Sequence, residues 1–144
     1  GAIGALVANA AIALGMQVVG TDPFLSVGAA LRLNPAVKIV KDSDGVFAAA
    51  DYLTIHVPFN NDTKGMINAE TIAKMKDGVR VLNYARGELV NDDDMLAALA
   101  SGKATAPISR TKRPATQRAL LQHRIWVHLH RRAKKTVQAW QPKN

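Results

Sequence analysis

The sequence predicts an α/β fold with an incomplete, doubly wound parallel sheet, followed by a basic tail that does not belong to that fold. Short apolar segments alternate with segments of helical periodicity through the first 104 residues, which is typical of a parallel sheet with helices on both faces. The charge then changes abruptly. Residues 1–104 hold 9 Lys and Arg against 11 Asp and Glu, whereas residues 105–144 hold 10 basic residues and no acidic one. We therefore interpret residues 1–104 as part of one α/β domain and residues 105–144 as an irregular tail.

The first predicted element is a helix that begins at a pair of glycines. Apolar residues recur at helical spacing from Ile3 to Leu14, and Gly15 stands where the helix ends. Gly1 and Gly4 occupy the places of the second and third glycines of a G-x-G-x-x-G dinucleotide-binding motif. The first glycine of that motif and the strand before it are absent from the sequence. Two glycines at this spacing also serve helix packing, so the pair alone does not decide between a nucleotide site and a structural role.

The segment after this helix predicts a buried parallel strand that ends near an acidic residue. Val18 and Val19 form its apolar part. Asp22 follows the glycines at the spacing of about 20 residues expected for the acid that binds a ribose. A carboxylate there accepts hydrogen bonds from the ribose hydroxyls and repels a ribose phosphate, which favours NAD over NADP. The alternative is that Asp22 is a turn residue before Pro23.

The remaining elements continue the alternation of strands and helices, and their boundaries carry the expected residues. Asn and Asp side chains accept hydrogen bonds from the free N–H groups at a helix start, Gly ends helices, and Pro interrupts strands. In chain order the sequence predicts a strand over 37–40, a helix from Asp42 or Ser43 to Ala50, a strand over 52–57, a polar loop over 59–65, a helix capped by Asn68 that carries Ile72 and Met75, a strand over 79–83 and a helix from Asn91 to Gly102.

Three strand ends carry polar side chains suited to a ligand site, because ligands bind beyond the carboxyl ends of parallel strands. These ends are Asp22, residues 56–58 and residues 83–87. Arg86 supplies a fixed cation whose forked geometry suits a carboxylate, and the alternative for it is a surface salt bridge. His56 could be a catalytic acid. A histidine in an apolar strand is more often a packed or hydrogen-bonding residue, so we do not assign it as the base.

Five motifs together resemble the D-isomer-specific 2-hydroxyacid dehydrogenases. Within that family the residues of these motifs are most similar to those of the phosphoglycerate dehydrogenases, which catalyse the first step of serine biosynthesis. The resemblance implies a Rossmann-type fold, NAD as the cofactor, a small 2-hydroxy or 2-oxo acid as the substrate and, by analogy, a homo-oligomer for the full-length enzyme. The motifs are Gly1-Ala2-Ile3-Gly4, Thr21-Asp22-Pro23, Ile55-His56-Val57-Pro58, Thr63-Lys64-Gly65-Met66-Ile67-Asn68 and the run from Val81 to Val90.

The resemblance also implies roles for individual residues. Arg86 matches the family arginine that binds the carboxylate and the 2-oxygen of the substrate, so it is the catalytic residue that the resemblance places in this sequence. No metal ligand is implied. The implied cofactor-binding positions are Gly1, Ala2, Ile3 and Gly4 at the pyrophosphate, Asp22 at the ribose, Val57, Pro58 and Thr63 along the cleft, and Tyr84, Ala85 and Arg86 beside the nicotinamide.

The family's proton-transferring histidine and its carboxylate partner are missing from the sequence as written. The histidine is expected beyond residue 104 in a Pro-His-Leu-Gly-Ala-Ser stretch, where residues 122–130 read QHRIWVHLH instead. A coding frame displaced by one base allows those six residues in order. The codon junctions Trp126/Val127 and Trp140/Gln141 force glycine and alanine, and both agree with the family. We therefore interpret residues from about 105 onward as a frame-shifted part of a dehydrogenase gene.

The basic tail has an alternative interpretation as a nucleic-acid-binding module. Its ten positive charges, together with Trp126 and Trp140, fit a surface that gains affinity by releasing counterions from nucleic acid. The tail has no recognised nucleic-acid motif, and its apolar residues show no sustained helical period. This module is the runner-up function.

The rest of the composition leads to two further expectations. The sequence has no cysteine, no apolar run long enough to span a membrane and no signal-peptide pattern, which favours a cytoplasmic protein. A protein of this written sequence is expected to be catalytically inactive and poorly folded past residue 104. Its NAD affinity is expected to be weak, because a sheet without its first strand leaves backbone groups unpaired and apolar faces exposed.

Overall fold

The computed structural model describes residues 1–105 and the two residues of a strand at 108–109. All of them lie in one compact unit that extends from Gly1 to Thr111. Among these described residues, no helix is long and apolar enough to cross a membrane. The interpretations of Trp126, Trp140 and the histidine-rich stretch at 122–130 fall outside the described residues.

Helices and strands alternate along the described chain, as the sequence predicts. The helices are α1 (Ala2–Ala13), α2 (Val27–Ala30), α3 (Ser43–Ala49), α4 (Ala69–Ala73) and α5 (Asp92–Ser101). The strands are β1 (Val19–Gly20), β2 (Lys38–Ile39), β3 (Tyr52–Ile55), β4 (Arg80–Asn83) and β5 (Ile108–Ser109), and a 3₁₀ helix spans Gly87–Leu89.

Every strand pair is parallel, and the strands form two sheets. Strand β1 pairs with β2, while β4 lies between β3 and β5 in a three-stranded sheet. The register places Ile55 opposite Asn83 and Asn83 opposite Ser109. The carboxyl ends of β3, β4 and β5 therefore meet at one edge, which is where a parallel sheet binds ligands.

The hydrophobic core lies between the three-stranded sheet and the helices that follow its strands. Along β3 the buried residues Leu53 and Ile55 alternate with exposed neighbours, since successive side chains of a strand point to opposite faces. Helices α4 and α5 contribute Ile72, Met95 and Ala98 to this core. The most deeply buried apolar side chains are Ile67, Val79, Val81 and Leu89.

The predicted helix caps are confirmed. Asp42 begins α3 by accepting from the Gly45 amide at 3.0 Å. Asn68 forms a reciprocal capping box at α4, and the Asn91 side chain accepts from two amides at the start of α5. Gly102 ends α5 in the left-handed region, with φ of 80°, a conformation that glycine adopts without a steric penalty.

Helices α1 and α2 and strands β1 and β2 are much less buried than the elements that follow them. Helix α1 has no buried residue, and the side chains of Ile3 and Leu6 are 65 % and 70 % exposed. The two sheets share no strand pairing among the described residues. The prediction that the strand at Val18 and Val19 is buried is wrong, because β1 has a partner strand on one side only and stays half-exposed.

Several element boundaries differ from the sequence-based expectation. Strand β3 ends at Ile55, so residues 56–57 follow it as loop, because its register with β4 stops at Asn83. Helix α4 is shorter than expected, although Met75 beyond it is still buried. The sequence did not predict α2, the 3₁₀ helix or β5, each of which is four residues or shorter. The pairing of β5 with β4 extends the sheet beyond residue 104.

Candidate cofactor and substrate site

The N-terminus of α1 lies against the predicted ribose-binding acid. The amino group of Gly1 forms an ion pair with Oδ2 of Asp22, while Oδ1 of Asp22 accepts from the Phe24 amide at 3.0 Å. Gly1 caps α1 without a side-chain hydrogen bond, and the first turn carries no acidic residue. The first N–H groups of a helix have no partner within the helix, so this end of α1 can bind an anion.

The contacts of Asp22 keep it ionised. The hydrogen bond from the Gly1 amino group, followed by that from the Phe24 amide, holds the pKa of the Asp22 carboxyl below its usual value. A carboxylate with a lowered pKa remains an acceptor at neutral pH and loses this role only as the pH falls through the folded-state pKa. Ionised Asp22 is therefore suited to ribose hydroxyls and unsuited to a ribose phosphate.

The two N-terminal glycines differ in their surroundings. A Cβ added at Gly1 would meet no atom within 4 Å, whereas one added at Gly4 would lie 3.8 Å from the Cβ of His56. Gly4 is the point where α1 packs against the end of β3, as expected for the third glycine of the motif.

His56 is a hydrogen-bonding residue. Its Nε2 lies 3.0 Å from Oγ1 of Thr54, two residues earlier on the same face of β3. The ring is half-buried. Burial, followed by the nearby Gly1 amino group, lowers the pKa of the His56 imidazole. The His56 side chain lies beside Gly4 of α1.

The loop after β3 is shaped by Thr63. Its hydroxyl donates to the Pro58 carbonyl at 2.8 Å and accepts from the Asn60 amide at 2.9 Å. The Asn60 side chain in turn accepts from the Thr63 amide at 2.9 Å, and Val57 packs against the core. These bonds fix the conformation of the loop at the sheet edge. In this structure Thr63 is therefore a residue that stabilises the loop.

The loop after β4 presents Arg86 and Tyr84 to solvent. Tyr84 is 62 % exposed, Ala85 is half-buried and Arg86 is exposed. Nη1 of Arg86 donates to the Ala85 carbonyl at 3.2 Å, and its guanidinium forms no ion pair with any of the residues that the structure describes. The alternative of a surface salt bridge is therefore not realised within this part of the chain, and the cation is available to a carboxylate.

The sequence analysis included Asn83, the last residue of β4, in the strand end 83–87 but assigned it no role. Its side chain is 2 % exposed. It accepts from the Ala85 amide at 3.1 Å and donates to the Arg86 carbonyl at 2.7 Å. The signal in the sequence is an amide side chain at the end of a predicted strand, directly before the candidate site residues Tyr84, Ala85 and Arg86.

Backbone bonds join the two loops at this sheet edge. The amide of Gly65 donates to the Glu88 carbonyl at 2.9 Å, and the amide of Ile67 donates to the Leu89 carbonyl at 3.0 Å. The structure therefore groups the predicted residues into two parts. Asp22 lies with Gly1 at the start of α1, and the segment that follows Thr63 is tied to the one that follows Arg86.

Comparison with known proteins decides the family. The profile of the D-isomer specific 2-hydroxyacid dehydrogenase NAD binding domain matches residues 1–124. The chain belongs to this family. The resemblance seen in the sequence is therefore confirmed, and NAD is the cofactor of the domain.

Individual members of the family support the same assignment. The chain is 40 % identical over 102 residues to the D-3-phosphoglycerate dehydrogenase of Bacillus subtilis, covering 71 % of this chain and 19 % of that protein. It is 39 % identical over 106 residues to the hydroxypyruvate reductase of Thermotoga maritima, covering 74 % of this chain and 33 % of that one. The chain thus spans a third or less of the length of these relatives.

A solved structure confirms the fold. The NAD-complexed D-isomer specific 2-hydroxyacid dehydrogenase of Lactobacillus delbrueckii ssp. bulgaricus superimposes with a TM-score of 0.67 at 30 % identity, covering 74 % of this chain and 32 % of that one. The prediction of a Rossmann-type α/β fold with parallel strands is confirmed by this similarity.

Proposed function

We propose that this chain is the cofactor-binding portion of an NAD-dependent dehydrogenase that oxidises a D-2-hydroxy acid. The contact between Asp22 and the start of α1 carries the proposal, since it places a ribose acceptor beside unpaired helix N–H groups. The pyrophosphate would bind the backbone of residues 1–4. Val57, Pro58 and Thr63 would line the cleft, and residues 84–86 would adjoin the nicotinamide.

Asp22 is proposed to select NAD over NADP. Replacing it with serine removes both the acceptor for the ribose hydroxyls and the charge that repels a 2′-phosphate. We expect Asp22→Ser to weaken NADH binding about tenfold, the equivalent of one charge-assisted hydrogen bond, and to abolish the preference for NADH over NADPH. Fluorescence titration of the purified chain with each nucleotide measures both effects.

The matched control for this titration is Asp77→Ser. Asp77 is an exposed acid that pairs with Lys103 near the start of β4, at the end of the strand opposite the proposed site. This variant should bind both nucleotides as the unsubstituted chain does. Equal affinities of the Asp22 variant and the unsubstituted chain for NADH would refute the assignment of Asp22 to the ribose.

Arg86 is proposed to bind the substrate carboxylate and the 2-oxygen. Its exposed guanidinium has the planar fork that suits these two oxygens, and it lies beside Tyr84 and Ala85. NAD, when bound, accepts the hydride from the substrate. Arg86 would hold the substrate in place through its fixed charge, and it neither gains nor loses a proton.

The substrate within the 2-hydroxy acid class is proposed to be 3-phosphoglycerate, as in serine biosynthesis. The similarity to phosphoglycerate dehydrogenases of three organisms supports this choice. The comparable similarity to a hydroxypyruvate reductase and to a D-lactate dehydrogenase makes glycerate and D-lactate the competing substrates. Measuring NAD reduction by the full-length enzyme with 3-phosphoglycerate, glycerate and D-lactate separates the three.

We further propose that residues 105–144 are a frame-shifted tail and that the chain as written is inactive. The forced glycine and alanine at the two tryptophan codon junctions support a displaced frame. Resequencing the coding DNA from the codon of Leu99 to beyond that of Asn144 shows where the shift arose: a single-base correction near Ala104 would restore the dehydrogenase frame, and a confirmed written frame would make the chain a truncated cofactor-domain relic. NAD reduction by the purified chain with 3-phosphoglycerate would overturn the prediction of inactivity.

Cytoplasmic location and a homo-oligomeric full-length enzyme complete the proposal. The first is the expectation from the composition of the sequence, and the second rests on analogy with the family. The alternative of a nucleic-acid-binding module rests on the charge of residues 105–144 alone, and the relatives named above are dehydrogenases and a reductase. We therefore retain the dehydrogenase assignment.

A further inference from the structure

Asn83 is the one buried polar side chain among the described residues of this unit. It lies at the carboxyl end of the central strand β4, between Ile55 of β3 and Ser109 of β5 in the register. A buried amide that lacks partners costs free energy comparable to a lost hydrogen bond. Both functional groups of Asn83 are satisfied by the backbone of the loop that follows.

The two bonds of Asn83 define a turn around Tyr84 and Ala85. Oδ1 accepts from the Ala85 amide at 3.1 Å, and Nδ2 donates to the Arg86 carbonyl at 2.7 Å. The Arg86 carbonyl also accepts from the Leu89 amide, at a longer 3.3 Å. Asn83 thus fixes the main chain on both sides of Ala85 and joins it to the start of the 3₁₀ helix.

Only a side chain that both accepts and donates at this length can make the pair. An ionised aspartate would accept from the Ala85 amide but would place a negative charge against the Arg86 carbonyl. Leucine, similar in shape, would leave the Ala85 amide unpaired. Protonated aspartic acid would restore the missing donor, since its hydroxyl can replace the N–H group.

We propose that Asn83 is a positioning residue that holds Arg86 where it binds the substrate carboxylate. This inference rests on the proposed function of Arg86. The Arg86 side chain extends into solvent from a main chain whose position is set by the bond to Asn83. Asn83 does not touch the substrate and acts through the turn.

The substitution Asn83→Asp tests this role through its pH profile. Burial raises the pKa of a carboxyl group by disfavouring the charged form. We expect the variant to bind oxamate, a small 2-oxo carboxylate, about tenfold more weakly than the unsubstituted chain at about pH 8.5 and to recover at about pH 5.5. The measurement is calorimetric titration of the NADH-saturated chain with oxamate at each pH. A variant that had merely lost its folded structure would not recover its affinity at the lower pH.

Asn34→Asp is the matched control for the pH profile. The Asn34 side chain accepts from the Ala36 amide at 2.9 Å in an exposed turn, a role that an ionised carboxylate performs equally well. Tyr84, Arg86 and Glu88 in its own loop, and His56 directly after the paired strand β3, are the charged or titratable groups of the segments that adjoin Asn83. These groups contribute equally to the pH dependence of oxamate binding in the unsubstituted chain and in the control. Comparing the profile of Asn83→Asp with these two therefore removes their contribution.

A second readout keeps the inference separate from the proposed function. In Asn83→Leu we expect the Ala85 amide to exchange its hydrogen faster by about tenfold or more, while the Val81 amide in the same strand keeps its protection. Unchanged Ala85 exchange, or an Asn83→Asp profile that parallels the control, would overturn the inference. If the unsubstituted chain binds no oxamate, the proposed function fails for this chain, and the exchange result alone decides the role of Asn83.

Discussion

Replacing Leu89 with alanine is expected to lower the free energy of unfolding by about 2–5 kcal/mol, the range for buried leucines that leave a cavity. Leu89 is completely buried, and its carbonyl accepts from the Ile67 amide. It follows Arg86 by three residues, so the same packing holds the loop after β4, which carries Arg86, against the core. Urea unfolding followed by circular dichroism measures the change.

The control for Leu89 is an identical substitution at an exposed position. Leu31 is 82 % exposed, and Leu31→Ala should change stability by no more than about 0.5 kcal/mol. Because small domains are stabilised by only about 5–15 kcal/mol in total, the loss at Leu89 would be a large fraction. Equal effects of the two substitutions would show that the core is not located between the sheet and α4 and α5.

Replacing Arg86 with lysine is expected to weaken oxamate binding to the NADH-saturated chain by about tenfold to a hundredfold, since a charge-assisted bidentate contact contributes about 1.5–3 kcal/mol. Lysine keeps the positive charge but lacks the planar fork that pairs with two oxygens at once. Calorimetric titration with oxamate measures the affinity. The thermal midpoint should stay unchanged, because the Arg86 side chain is exposed and forms no ion pair with a described residue.

The control for Arg86 is Arg32→Lys. Arg32 is an exposed arginine in the segment between α2 and β2. It lies outside the loop that carries Arg86, so its substitution should leave oxamate affinity unchanged. If Arg86→Lys binds oxamate as tightly as the control, the substrate carboxylate is held by another group and Arg86 is a surface cation.

Local chemistry made part of this fold predictable from the sequence. The caps at Asn68 and Asn91 and the left-handed end at Gly102 each depend on a few neighbouring residues. The order of strands and helices could be predicted for the same reason, because apolar periodicity is a property of each segment. Family membership was predictable because several motifs occur in the right order.

The remaining features depend on contacts that the sequence does not display. Strand β1 is half-exposed because its partners are determined by the assembled sheet and not by its own apolar residues. The role of Asn83 was not predicted because it is defined by the turn at Ala85 and Arg86, which only the folded main chain brings within reach. Helix α2 is too short to show periodicity.

The candidate site was predictable to a similar degree. The sequence indicated Asp22 and the glycines as parts of one site, and the structure places Gly1 and Asp22 in contact. It did not indicate that Thr63 uses its hydroxyl to fix the loop after Pro58. The distinction matters, because a residue that shapes a loop is not required to touch the cofactor.

The most direct test of the proposed function is to locate bound NADH on the chain by ¹H–¹⁵N NMR spectroscopy. We expect the amide signals of Ala2, Ile3, Gly4 and Phe24 to shift on titration, because these groups adjoin the anion-binding end of α1 and the Asp22 carboxylate. The same signals should shift less with NADPH. Shifts confined to residues 105–144, or equal shifts with both nucleotides, would contradict the assignment of this end of α1 and Asp22 as an NAD site.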